Sequence, residues 1–403
     1  MSRKINIAID CRITFAQQGM GTAVLSLAKA LSESDIADQE YTFIVCEEMQ
    51  SWLGPYVYGH CKLKGIPASK LDRTRAALRS IAPLRFVWRK MRNGVGHIPV
   101  SDGYVESQQF DVVHFPTTTA YLTKLPTIYQ PHDLQHLHFP QFFSKGGSAV
   151  RARETRAFCE SAAYVCVHAE WTRQDVISQY RLAAEKVVVI PWGSVFDAYK
   201  EPSPDEIRIA IEKFDLPGHF FFYPAVTWPH KNHEVIFRAL EILKSRHRVT
   251  PHVFFTGSLT NRREYLDKLA TQLGVSEQLH FLGFVTPVEL QAIFKSATAM
   301  IFPSRFEGFG LPILEAFHSR LPVLSSNATV LPEVAQEGAA YFNPDSAEEL
   351  SNLMKAILDR PELRQDLIRK GTQVLSQYSF EDTAAKFQTL YEKTAQVHHS
   401  VGG

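Results

Sequence analysis

The chain has 403 residues, enough for two cores, and its 45% hydrophobic and 21% charged content is that of a globular protein. Its formal net charge of +1 supplies no overall field toward nucleic acid, and no nucleic-acid partner is expected. No apolar run approaches the roughly 18 residues of a membrane-spanning helix. Five cysteines, an odd number without CxxC spacing, fit reduced thiols. The opening MSRKINIAIDCR carries a charge in its apolar run and is too short for a signal core. A cytoplasmic location is therefore expected.

In chain order, the strand candidates of the first half are 5–9, 41–46, 110–115, 127–130, 163–167 and 186–190. They are β-branched or aromatic and apolar on both faces, as buried parallel strands are. Residues 21–33 carry apolar residues at helical spacing. The run PWGSVFDAYKEPSPDE at 191–206, with three prolines and a glycine, reads as a linker. Strand candidates then resume at 219–226, 252–257, 279–285, 299–304 and 321–326. Helices are expected at 232–246, 261–273, 287–296, 309–319, 346–358, 361–377 and 380–395. Two βα series predict two doubly wound α/β domains, with ligands beyond the carboxyl ends of the strands. The default site is then the cleft between the domains. The closing VHHSVGG is expected to be a disordered tail.

The most informative stretch is PSRFEGFGLPILEAF, residues 303–317. It runs from a strand end through a turn into a helix with Pro312 in its first turn. Gly308 and Gly310 let backbone approach a ligand and offer amides at a helix N-terminus, which suits phosphate. Carboxylates beside a phosphate repel it unless they accept hydrogen bonds from something else, such as vicinal sugar hydroxyls. Glu307 and Glu315 flanking the turn thus fit a nucleotide sugar, with one sugar ring for each carboxylate. A helix whose N-terminal Glu offsets the macrodipole, beside a solvated turn Glu, fits the spacing equally well.

Other stretches add to this. YPAVTWPHKNH at 223–233 places Lys231 after a strand, within reach of a phosphate or simply in solvent. Gly19 and Gly21 form half of a dinucleotide fingerprint whose third glycine is replaced by Val24, so a glycine-lined loop near an anion and a plain tight turn both remain open. His132 follows a strand, with His136 and His138 after it, but the spacing is poor for a metal. Residues 70–92 set eight Lys and Arg against one Asp, with apolar residues between. They read as a solvated helix pair or as a basic amphipathic surface for anionic lipid or a lipid-linked acceptor.

Together these stretches resemble glycosyltransferase family 4, nucleotide-sugar-dependent retaining enzymes of the GT-B fold, in which two Rossmann-like domains face a central cleft. The resemblance covers nearly the whole chain. It includes DCRITFAQQGMGTAVLSLAKAL, HDLQHLHFP, VHAEWTRQDV, WPHKNH and the E-x7-E motif. It implies an N-terminal acceptor domain at 1–192, a donor domain at 193–378, a helix at 379–396 crossing back to the first domain, and a tail at 397–403. Lys231 would bind the diphosphate, and Glu307 the hydroxyls of the transferred sugar. The amides of Gly308, Phe309, Gly310 and Leu311 would touch sugar and phosphate, and Glu315 the ribose. Gly19 and Gly21 would approach the phosphate, His132 the reacting sugar, and Phe284 and Val285 the base. Glu307, His132 and Lys231 are the expected catalytic residues. Many members carry an Arg five or six residues before the Lys, where this chain has Val226 and Ala225.

The implied reaction moves a hexosyl unit to a polysaccharide or lipid-linked saccharide. UDP-glucose is the favoured donor and GDP-mannose the next. No cofactor or metal is expected, in keeping with the absence of any Asp-x-Asp. Contact with the inner membrane face through 70–92 would be peripheral. Competing readings are a two-carboxylate glycoside hydrolase, a dehydrogenase, a pyridoxal-phosphate phosphorylase and a nucleotide-sugar binder without turnover.

Overall fold

The eleven apolar runs become strands and two more join them, making thirteen among the described residues of a computed structural model, which describes residues 4–12, 18–36, 38–67, 98–144, 146–260 and 262–401. The strands are β1 (Ile5–Asp10), β2 (Gln39–Cys46), β3 (Cys61–Ile66), β4 (Val112–Phe115), β5 (Thr127–Tyr129), β6 (Tyr164–Val167), β7 (Val187–Val189), β8 (Phe220–Pro224), β9 (His252–Thr256), β10 (Leu279–Gly283), β11 (Ala299–Phe302), β12 (Val323–Ser326) and β13 (Ala339–Phe342). Helices of at least eight residues are α1 (Gln18–Glu33), α2 (Gly147–Ser161), α3 (Glu170–Tyr180), α4 (Pro204–Phe214), α5 (His233–Ile242), α6 (Arg263–Leu273), α7 (Pro287–Ser296), α8 (Leu311–His318), α9 (Ala347–Asp359), α10 (Pro361–Leu375) and α11 (Phe380–Val401).

The chain divides into two units, Met1–Pro191 with Phe380–Gly403, and Trp192–Ser379. The first holds a seven-stranded sheet in the order β3-β2-β1-β4-β5-β6-β7, and the second a six-stranded sheet in the order β10-β9-β8-β11-β12-β13. Every strand pair is parallel. Both sheets reverse their winding between the first and fourth strand of the unit, which leaves a crevice at the carboxyl ends of β1/β4 and of β8/β11. Helices cover both faces of such sheets, and β4, β11 and β12 are accordingly buried at every position.

Several boundaries depart from expectation. β3 alternates exposed Lys62 and Lys64 with half-buried neighbours at the edge of its sheet, so it lacks the apolar signature of the inner strands. β13, with only four residues, was likewise unexpected. The linker ends early: Ser203 and Glu206 close a reciprocal capping box that starts α4 within 191–206. The helix expected over 232–246 is α5 to Ile242, followed by a π turn at Leu243–His247. The tail expected at 397–403 is helical to Val401, because no Gly or Pro interrupts the run before Gly402.

α11 packs on the first unit. Gln39 Nε2 donates to the Gln388 carbonyl at 3.1 Å, and Tyr391 Oη lies 2.8 Å from His114 Nδ1 on β4. The ring of Phe387 is 4.8 Å from that of His114.

Candidate functional site

Two loops meet at the switch point of the second sheet. One follows β8 and ends in the short turn Pro229–Lys231, and the other runs from Pro303 after β11 to Gly310 at the start of α8. Lys231 Nζ donates to Glu307 Oε1 at 2.6 Å, and both side chains are largely but not fully buried. An ammonium has three donors, so Lys231 keeps hydrogen-bonding capacity beyond Glu307. The Glu307 backbone is tied to Thr329 through its N–H, which donates to Thr329 Oγ1 at 3.3 Å.

Gly310 caps α8 with φ 99°, and a Cβ there would lie 2.9 Å from Leu331 Cδ2. The left-handed backbone favours glycine here, and a Cβ would also press on the Leu331 methyl. The turn thus delivers backbone amides at the N-terminus of α8, where a helix favours anions. Phe309 is buried against Tyr378, so only its backbone is presented. Glu315 is buried in the second turn of α8. Burial pushes its carboxyl up to about 8. Phe284 and Val285 lie just beyond β10: Phe284 is 69% exposed, while Val285 turns inward and is buried. Of this pair, the Phe284 ring is the one open to a ligand.

The remaining expected residues belong to the first unit. Gly19 and Gly21 sit within the first turn of α1 and not in a loop ahead of it. A Cβ on Gly21 would approach the Trp52 ring to 3.3 Å, so this glycine admits close packing. His132 follows β5 with φ 63°, a left-handed backbone uncommon outside glycine. Its Nε2 is 3.0 Å from the Pro116 carbonyl, which can only accept, so that nitrogen carries the proton. Burial lowers the His132 pKa and keeps the ring neutral, leaving Nδ1 as an acceptor. The basic segment 70–92 lies outside the described residues. Among the described residues no group of three His, Cys, Asp or Glu is arranged for a metal. His138 instead bonds both carboxylate oxygens of Asp175, at 2.8 and 2.9 Å.

Sequence reasoning missed residues at the switch points of both sheets. Tyr223, buried on β8, donates to the Lys231 carbonyl at 2.8 Å and meets Ser304 Oγ at 3.2 Å. Asn232 and Arg305 join the same two loops. At the switch point of the first sheet, buried Asp10 takes both Nε and Nη2 of Arg12 and the Tyr121 hydroxyl at 2.7 Å. An acid closing an apolar strand was the only advance signal for Asp10. Positive charge also stands near Lys231: buried His233 is held down at about 3 by burial first, then by Lys231 and Arg262. Arg262 pairs with Glu234, and its loop is joined to the Lys231 loop by Thr227 and Thr260.

Residues 205–374 match the family described as glycosyl transferases group 1, and residues 18–194 match glycosyltransferase family 4. The serotype-specific mannosyltransferase WbdA of Escherichia coli is 28% identical over 340 residues, 83% of this chain and 40% of that protein. The chain therefore spans well under half the length of that relative. The MMP alpha-(1->4)-mannosyltransferase of Mycolicibacterium hassiacum is 34% identical over 228 residues, 54% of this chain and 51% of that protein. Among solved structures, HepE of Anabaena in complex with UDP and glucose superposes with a TM-score of 0.70 at 16% identity, covering 96% of this chain and 100% of that one. Sucrose-phosphate synthase of Thermosynechococcus elongatus gives 0.67 at 17% identity, covering 97% and 99%. These likenesses establish the GT-B fold.

Proposed function

The chain belongs to the group 1, family 4 glycosyltransferases, and on that premise we propose that it transfers a hexosyl unit from a nucleotide sugar to a saccharide acceptor. The observation that carries this is the Lys231–Glu307 pair at a sheet switch point, beside the glycine turn that opens α8. A cation and amides aimed at one place suit a diphosphate leaving group, and the adjacent carboxylate suits sugar hydroxyls.

The leaving nucleoside diphosphate gains charge as the glycosidic bond breaks. Lys231, the Gly308–Leu311 amides and the α8 N-terminus stabilise that charge in place, without reorganisation. Glu307 holds hydroxyls of the transferred sugar, Glu315 the ribose and Phe284 the base. His132 accepts a sugar hydroxyl through Nδ1. Transfer proceeds with retention, on the same face as the leaving phosphate, which assists deprotonation of the acceptor. No metal takes part. A covalent glycosyl-enzyme adduct in a trapped reaction would overturn this route.

Mannose is the sugar placed first, because curated relatives are named mannosyltransferases, and GDP-mannose is then the donor. This reorders the preference for UDP-glucose drawn from the sequence. The acceptor is a growing polysaccharide or lipid-linked saccharide, reached at the cytoplasmic membrane face with segment 70–92 as the basic contact. No helix of the described residues is long and apolar enough to cross a membrane. Calorimetry with GDP-mannose, UDP-glucose, GDP and UDP tests the donor, and radiolabelled sugar transfer tests turnover. Binding without transfer to any saccharide would favour a nucleotide-sugar binder. Sugar release to water without nucleotide would favour a hydrolase.

A further inference from the structure

The two loops that carry Lys231 and Glu307 are joined through one buried amide. Asn232 is 3% exposed, and its side-chain nitrogen donates to the Pro303 carbonyl at 3.1 Å and to the Pro344 carbonyl at 2.7 Å. Its Oδ1 accepts from Arg305 Nη2 at 3.1 Å. Arg305 in turn pairs with Asp345, and its backbone N–H donates to the His230 carbonyl at 2.8 Å. Both donors and the acceptor of the amide are therefore used, by partners on two other loops, one with Pro303 and Arg305 and one with Pro344. The backbone of Asn232 is left-handed, φ 56° and ψ 41°, a conformation that Asn tolerates better than most residues. That turn starts α5 immediately after Lys231, so the conformation of Asn232 sets where the lysine leaves the loop.

We infer that Asn232 is a positioning residue: with Arg305 and Asp345 it holds the Lys231 loop and the Glu307 loop in register, so that ammonium and carboxylate act on one donor. This rests on the donor-site reading of Lys231 and Glu307. A site whose groups must sit within about half an ångström depends on such supporting bonds. The amide chemistry also predicts an order among variants. Glycine keeps the left-handed backbone and loses the bonds. Aspartate keeps the shape but turns an oxygen toward the Pro303 and Pro344 carbonyls, replacing two attractions by repulsion.

The test compares wild type, Asn232→Gly and Asn232→Asp by hydrogen exchange of the full chain, then by GDP and UDP calorimetry and by transfer from GDP-mannose and UDP-glucose. Faster exchange in both 225–232 and 303–310, with unchanged exchange in β8 and β11, is expected for Asn232→Gly. So is a tenfold or larger fall in kcat, with a smaller change in KM. Asn232→Asp should be worse on every measure. Unchanged exchange in either loop would overturn the clamp, whatever the donor proves to be. Faster exchange with wild-type kcat would overturn its role in the reaction. Wild-type protein that binds none of the four nucleotides would overturn the donor-site reading, while the exchange experiment still decides the clamp.

Discussion

Lys231 and Glu307 are 76 residues apart in sequence, yet Nζ and Oε1 lie 2.6 Å apart because their loops leave neighbouring parallel strands at the switch point. Opposite charges at this distance can serve one ligand that carries both phosphate and hydroxyls. Lys231→Ala should weaken binding of the bare nucleoside diphosphate by about 1.5–3 kcal/mol, the usual cost of a lost charged hydrogen bond. Glu307→Ala should abolish transfer while changing nucleotide affinity little. Calorimetry with GDP and UDP, beside a transfer assay, separates the two roles. Retained turnover in Glu307→Ala would remove it from the reaction.

Glu315 makes pH a probe of the proposed ribose contact. Its folded pKa is about 8, raised by burial above the ordinary carboxylate value of 4.5. The folded state thus binds the proton more tightly than the unfolded chain. The contribution to stability is complete below about pH 4.5 and is lost as pH rises toward 8, a change on the order of a few kcal/mol. Thermal melts from pH 5 to 9 should show this slope, and Glu315→Gln should flatten it. If ribose hydroxyls donate to the ionised carboxylate, nucleotide binding near pH 7 releases a proton. Heats of binding that do not vary between buffers of different ionisation enthalpy would contradict that contact.

The last helix offers a stability test away from the site. Tyr391 and His114 are both fully buried, and burial holds His114 neutral, with its pKa near 3. Tyr391→Phe removes the partner of His114 Nδ1 and leaves a buried polar atom unpaired, at about 1–3 kcal/mol. Chemical denaturation should show the loss in the unit formed by residues 1–191 and 380–403. Wild-type stability would mean that α11 does not depend on this contact.

The stretch PSRFEGFGLPILEAF at 303–317 was legible because its chemistry is local: glycines, a proline and two acids fall within one turn and one helix. The inner strands were legible for the same reason, since burial on both faces demands continuous apolar residues. β3 was not, because an edge strand can alternate lysines with apolar residues and still pair on one side. Asn232 was not singled out in the sequence, because only the fold brings Pro303, Arg305 and Pro344 to its amide. Val285 was expected beside the base, but packing turned its side chain inward; Phe309 was expected to offer its amide, and only its side chain is buried.

By itself the sequence determined the two parallel α/β units and the helix-opening glycine turn. Those features follow from periodicity and backbone chemistry over a few residues. The tertiary structure alone decided that Lys231 meets Glu307 and that Asn232 and Tyr223 hold their loops. It also decided that Glu315 loses its solvent and that His132 Nε2 meets the Pro116 carbonyl. Each depends on atoms from distant strands converging, and on water being excluded where they meet.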